Sequence, residues 1–170
     1  AALLAALAPA PAPALPPRRR PAALGALPPP VEGRVLFPYR ALDRLGRPTP
    51  GVTLETAPGA LVRSPAPASV LIAEALPHRG FAAVLELEPG RLLILADLSV
   101  LSAAAGSTLP AGAVVGHVGV RPSVSPDFSV ELPASNGSPS FPTLYMEARQ
   151  YGAAVDPALW FNAYEEATTP

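Results

Sequence analysis

From residue 33 onward the chain alternates short apolar runs with polar or turn-forming clusters, and nowhere do the apolar positions recur at the 3.6-residue period of a helix. Runs of four to eight residues rich in Val, Leu, Ile and aromatics, cut by Gly and Pro, read as β-strands. Such runs occupy residues 34–38, 52–56, 69–75, 82–88, 91–98, 113–118 and 144–149. Only Pro89 and Gly90 separate the runs Val84-Leu85-Glu86-Leu87-Glu88 and Arg91-Leu92-Leu93-Ile94-Leu95. Proline presets the first corner of a tight turn and glycine supplies the positive φ of the second, so these two runs are predicted to pair as a hairpin. In the run that begins at Thr143, a period of two places Thr143, Tyr145, Glu147 and Arg149 on one face and Leu144, Met146 and Ala148 on the other. The pattern predicts an all-β domain.

Residues 1–30 break from this pattern. They hold nine of the chain's 25 prolines amid alanine, a composition that lacks backbone donors, cannot continue a helix and favours extended polyproline II. Residues 1–30 therefore read as a linker or tether, residues 31–166 as the folded domain and 167–170 as a tail. The run Arg18-Arg19-Arg20 either touches an anionic polymer or lipid or simply keeps the tether solvated. The apolar opening lacks the preceding positive charge of a secretory signal and does not start with Met, so the chain is expected to be a fragment or processed form. Residues 117–142 contain a stretch rich in Ser, Pro and Gly, too long for an ordinary connection, and are read as an insertion in the domain.

Composition removes several function classes. The formal net charge is −1, so no basic face for nucleic acid is indicated. There is no cysteine, hence no disulfide, thiolate nucleophile or thiolate zinc site. All 12 basic residues are Arg; without Lys, neither a phosphate-binding Gly-Lys loop nor a biotinyl or lipoyl carrier site exists, although Gly112 to Gly119 has the glycine spacing of such carriers. The two histidines, His78 and His117, are isolated. No spacing places two imidazoles on one face, whereas catalytic zinc needs about three protein ligands and an open position.

The segment from Thr143 to Phe161, TLYMEARQYGAAVDPALWF, resembles the closing strand of the LytM or lysostaphin-like zinc peptidases of bacterial cell walls. There the pattern is His-Leu-His-Phe-Glu-hydrophobic-Arg, a glycine turn, then Val-Asp-Pro and an aromatic. Here Leu144, Glu147, Arg149, Gly152, Val155, Pro157 and Trp160 stand in place, Met146 replaces the Phe, and the two histidines have become Thr143 and Tyr145. This variant is similar to the EnvC-like murein hydrolase activators, the non-catalytic branch. Upstream, Thr49 and Thr53 fall where zinc members carry His-x-Gly-hydrophobic-Asp, and Asp97 where they carry the catalytic histidine. Residues 109–119 match the Gly-x-x-Val-x-x-Gly return. The resemblance covers about residues 33–161.

The resemblance implies a LytM-like β-sandwich or barrel with an open groove and vestigial ligand positions at Thr49, Thr53 and Tyr145. It implies no metal, no cofactor and no catalysis. The partner implied is a periplasmic zinc-dependent N-acetylmuramoyl-L-alanine amidase, activated during septal peptidoglycan splitting in a Gram-negative envelope. Relatives connect to a division-associated transporter-like membrane complex through a coiled coil, and no heptad repeat is present here. Groove positions implied are Tyr145 and Arg149, with Glu147 and Thr143 on the same face and Arg79 and Asp97 nearby; Asp97 and Arg79 replace tyrosines and Pro50 a lysine. Two alternatives stay open. Tyr145 merely packs while Arg149 pairs with Glu147 or Asp97, or the groove holds peptidoglycan without any amidase. A rearranged metal site around His78 or His117 is the remaining, enzymatic alternative.

Overall fold

The computed structural model describes residues 25–120 and 141–162; residues 121–140 of the insertion read over 117–142, residues 1–24 and residues 163–170 lie outside the described residues. The protein is all-β. One large antiparallel sheet takes the strands in the spatial order β1 (Gly33–Phe37), β2 (Val52–Thr56), β10 (Thr143–Gln150), β6 (Arg91–Leu98), β5 (Phe81–Glu88), β4 (Ala68–Ala75) and β8 (Thr108–Leu109), with β11 (Ala153–Val155) paired to β10. A small sheet, β3 (Leu61–Arg63), β9 (Val114–His117) and β7 (Val100–Leu101), closes over it.

The core forms where alternation sends apolar side chains between these layers. Leu54 of β2, Leu144 and Met146 of β10, Leu93 and Leu95 of β6, and Leu85 of β5 are fully buried and meet Val62 and Val115 of the small sheet in one cluster. The last long strand in sequence, β10, lies within the large sheet, flanked by β2 and β6. Its core-facing residues Leu144 and Met146 stand opposite Leu54 and Val52 on one side, and Met146 and Ala148 stand opposite Leu95 and Leu93 on the other. The opposite face of this strand is where the site residues project.

The seven predicted strands are present, most within a residue of the expected limits. The Pro89-Gly90 turn pairs Glu88 with Arg91, with Gly90 at a φ of 81°. An ion pair between Arg91 Nη1 and Glu88 Oε2 of 3.0 Å spans the turn. The strands the pattern missed, β3, β7, β8 and β11, have two or three residues each, too few to show a period.

The composition reads residues 1–30 as a tether, yet Leu27 lies in the core together with Val31, the first residue read as part of the domain. Leu27 forms a parallel bridge with Phe161; its N–H donates to the Trp160 carbonyl at 3.2 Å and its carbonyl accepts from Asn162 N–H at 3.1 Å. The folded unit therefore extends back into the proline-rich segment. Apolar residues at single positions between prolines gave no periodic signal for this. Trp160 itself is 1% exposed, presented by a 3-10 turn, Pro157–Leu159, whose start is capped by Asp156 accepting from Ala158 N–H at 3.0 Å.

Candidate functional site

On the far face of β10, Tyr145 lies between two cross-strand neighbours, Thr53 of β2 and Ala96 of β6. Thr53 is buried and Ala96 is small and buried, so the phenol fills the space above the sheet rather than standing into solvent. A third close approach comes from Gly51: a Cβ at this position would lie 2.5 Å from the Met146 carbonyl oxygen and 2.7 Å from the Tyr145 phenol. Only glycine lets the chain pass here with the ring in place.

The phenol does not stand alone. Tyr145 Oη donates to Glu147 Oε2 at 3.0 Å, and Arg149 Nε donates to Glu147 Oε1. Glu147 is 6% exposed, so its carboxylate is held between a neutral and a charged donor, as a buried acceptor requires. Burial first, and the Glu147 carboxylate second, push the Tyr145 phenol above its ordinary range. The phenol is therefore a persistent donor at neutral pH. Across the cleft the Arg79 guanidinium sits over the Tyr145 ring, 5.1 Å from its centre. Arg79 also donates to both oxygens of Asp97, from Nε at 3.2 Å and from Nη2 at 3.3 Å.

Local backbone chemistry explains how Arg79 and Asp97 meet. Arg79 lies in the loop joining β4 to β5, closed by Leu76 N–H to the Gly80 carbonyl at 2.7 Å. Asp97 sits near the end of β6 where the register slips by one residue between the pairs Phe81–Leu98 and Ala83–Leu95. At this bulge Asp97 adopts a φ of 68°, a left-handed conformation that aspartate tolerates better than most residues. The bulge turns the Asp97 carboxylate toward the loop that carries Arg79. A plain β-strand over 91–98 was expected, and the period-2 pattern carries no sign of the extra residue.

The sequence-derived site thus converges in part. Asp97, Arg79, Tyr145, Glu147 and Arg149 form one connected chain of contacts. Thr143 shares their face of β10 but is 2% exposed, opposite Glu55, so it belongs to the packed sheet rather than to the accessible surface. Pairing of Arg149 with Glu147, one of the two alternatives weighed for it, is what the geometry shows.

The positions that the resemblance implies as vestigial ligand sites, Thr49, Thr53 and Tyr145, do not fit zinc. Thr53 and Tyr145 are direct cross-strand partners and Thr49 lies on the same cleft, so the three positions converge. Their donors are two aliphatic hydroxyls and a phenol kept protonated, not imidazoles or carboxylates. Thr49 Oγ1 donates to the Ala41 carbonyl at 3.0 Å and the phenol is spent on Glu147. No group of three His, Cys, Asp or Glu side chains suited to a metal occurs among the described residues. His78 and His117 lie on different elements, in the β4–β5 loop and in β9.

Above these positions lies a cleft of about 360 Å3, lined by Asp43, Arg47, Thr49, Pro50, Arg79 and Tyr145. One wall is the loop of residues 38–50, which the strand pattern did not single out. Of its residues, the resemblance marks Thr49, as a vestigial ligand position, and Pro50, as a groove position.

No protein-family model matches the sequence, and no curated protein matches it. Solved structures do. A Pseudomonas aeruginosa protein assigned to the M23 peptidases superposes with a TM-score of 0.63 at 22% identity, covering 86% of this chain and 54% of that one. A chain of the SpoIIQ–SpoIIIAH pore-forming complex gives 0.62 at 16% identity, covering 86% of this chain and 100% of that one. Helicobacter pylori Csd3 gives 0.61 at 19% identity, with 85% of this chain and 37% of that one covered. The fold is that of the M23, or LytM-type, peptidase domains. This chain spans about half or less of the length of the P. aeruginosa and H. pylori proteins.

Proposed function

We propose that this domain is a non-catalytic member of the LytM-type fold that works by binding. Its partner in this reading is a periplasmic zinc-dependent N-acetylmuramoyl-L-alanine amidase, which it activates in septal peptidoglycan splitting. The observation that carries the reading is the network beneath the cleft. Thr49, Thr53 and Tyr145, taken in this reading as the vestigial ligand positions of an M23 fold, lie together, and the cleft beside them has a floor tied into a hydrogen-bonded network. Here a protonated phenol, two arginines, the buried Glu147 carboxylate and the partly buried Asp97 carboxylate are held in fixed mutual geometry. Tyr and Arg so presented are the residue types that anchor protein interfaces. That one similar structure comes from a protein complex, SpoIIQ–SpoIIIAH, agrees with a binding role for the fold.

Activation is then a population shift. A partner that binds the open amidase better than the closed one stabilises the open state in proportion to that difference in affinity. The groove residues in this reading are Tyr145 and Arg149, supported by Glu147, with Arg79 and Asp97 on the facing wall; Thr143 supports from beneath.

Dye release from labelled sacculi tests the reading. The amidase of the same organism is assayed with and without this protein, and with Tyr145→Phe and Arg79→Gln variants whose folding is verified by their melting. Release only from the pair, reduced by the variants, is the expected result. Release by this protein alone overturns the non-catalytic reading. Retention on sacculi in the absence of amidase, with no stimulation, replaces it with a peptidoglycan-binding module.

A further inference from the structure

The loop wall of the cleft, residues 38–50, folds as a short hairpin with charge and apolar surface in excess of what the domain uses. Arg40 N–H donates to the Thr49 carbonyl at 3.0 Å, Thr49 N–H to the Ala41 carbonyl at 2.9 Å, and Asp43 N–H to the Arg47 carbonyl at 2.8 Å. Leu42 and Pro48 form an antiparallel bridge between the two arms. The tip is built around the Asp43 carboxylate, which accepts from the backbone N–H of Leu45 at 2.8 Å and of Arg47 at 2.9 Å, and from Arg47 Nε at 3.0 Å. These bonds, the Arg47 backbone N–H foremost, hold the Asp43 carboxyl below its usual range.

An Asx-type turn of this sort needs polar residues at its tip and has no use for leucines. Leu42 and Leu45 are nevertheless 64% and 74% exposed. Leu42 stands directly across the hairpin from Pro48, which lines the cleft, so apolar surface continues from the cleft onto the hairpin. The charge is equally one-sided. Residues 38–50 carry Arg40, Arg44 and Arg47 against Asp43 alone, while the chain as a whole has a formal net charge of −1. The rest of the cleft is internally balanced, Arg79 against Asp97 and Arg149 against Glu147. Positive potential at the cleft mouth therefore comes from the hairpin.

We propose that the 38–50 hairpin is a docking element for an acidic amphipathic helix, whose apolar stripe covers Leu42 and Leu45 and whose Asp and Glu side chains face Arg40, Arg44 and Arg47. The arms are short, joined by three backbone bonds and one bridge pair, and offer no long edge for an added strand, so recognition falls to side chains. A helix is the element that gathers apolar anchors and one sign of charge along one stripe, at i, i+3 and i+4. The proposal rests on the reading of the cleft as a partner-binding groove but not on the partner's being an amidase.

The test uses the full 170-residue chain and three fluorescein-labelled helical peptides of about 18 residues, long enough to hold a helix in water. All share one leucine stripe; their polar faces carry Glu, Gln or Lys. Fluorescence anisotropy is expected to rank Glu over Gln over Lys, with the Glu peptide losing affinity as salt rises. Leu42→Ser with Leu45→Ser, and separately Arg44→Glu, are expected to weaken the Glu peptide about tenfold or more, with melting temperatures unchanged because these side chains are exposed. Equal binding of all three peptides, no binding of any, or variants that bind as the parent overturns the proposal. Dye release separates the two readings. Amidase stimulation that survives both hairpin variants while they lose the Glu peptide supports the hairpin as a docking element and assigns the amidase to the cleft alone. Acidic-helix binding through the hairpin with no stimulation of the amidase overturns the amidase reading and leaves the hairpin.

Discussion

At the scale of single residues, Tyr145 does two jobs that a substitution separates. Its ring fills the space over Gly51, Thr53 and Ala96, and its hydroxyl supplies one of the two side-chain donors to a carboxylate that is 6% exposed. Tyr145→Phe keeps the ring and removes the donor, so it is expected to destabilise the domain by about 1–3 kcal/mol, the range for a lost bond to a buried charged group. The pH dependence has a definite sign. The phenol is raised above its unfolded value of about 10, so the folded state binds the proton more tightly. Its contribution is fully present below about pH 10 and is lost as pH climbs above that value toward the folded one. Denaturant unfolding of parent and Tyr145→Phe at pH 7 and at steps from 9 to 11 is expected to show the gap narrowing through the alkaline range; a gap constant with pH counts against the coupling. Gly51→Ala tests the packing half. Its methyl meets the Met146 carbonyl and the phenol at 2.5 and 2.7 Å, so it is expected to lower stability by about 1–3 kcal/mol and to alter Tyr145 fluorescence. Arg149→Ala is a poor probe of binding alone, because it removes the charged donor from the Glu147 carboxylate, leaves the phenol bonded to it and costs fold stability too.

At the scale of elements, β10 was legible because both of its faces are specified. Leu144, Met146 and Ala148 alternate with Tyr145, Glu147 and Arg149, and both sets are constrained, one by the core and the other by the cleft. The hairpin over Pro89-Gly90 was legible for the same reason, with turn chemistry and period agreeing. What could not be read from the pattern depends on exceptions to it. The β6 bulge at Asp97 inserts one residue that no period announces, yet it is what turns that carboxylate to Arg79. The 38–50 hairpin is held by a side chain, Asp43, bonding to backbone, and its turn signals were indistinguishable from those of an ordinary loop. Asp43→Ala is expected to loosen this hairpin without unfolding the sheet. Hydrogen exchange would show faster exchange at the amides of Leu45 and Arg47, with protection in β2 and β10 unchanged.

At the scale of the whole molecule, the last link is the strap formed by residues 25–31. The composition assigns all of it but Val31 to the tether, whereas in the fold Leu27 pairs with residues 160–162. Leu27 bonds through both its N–H and its carbonyl to the segment that carries Trp160 and Phe161, and Leu27 and Val31 are 6% and 3% exposed within the main cluster. The strap thus joins the start of the described fold to its closing segment, and through Trp160 to the core beneath β10. Burial of two aliphatic side chains of this size contributes on the order of 3–5 kcal/mol, before the two backbone bonds are counted. A chain starting at residue 32 is therefore expected to melt on the order of 10 °C below one starting at residue 25. Leu27→Asp in the full chain, which keeps the backbone but places a charge in the core, is expected to act in the same direction. Calorimetry of the three proteins decides it. Coincident melting would mean the strap packs without stabilising. A fall shared by the truncation and by Leu27→Asp would place the true domain boundary inside the proline-rich segment, so that any fragment used to test the cleft has to begin at or before residue 25.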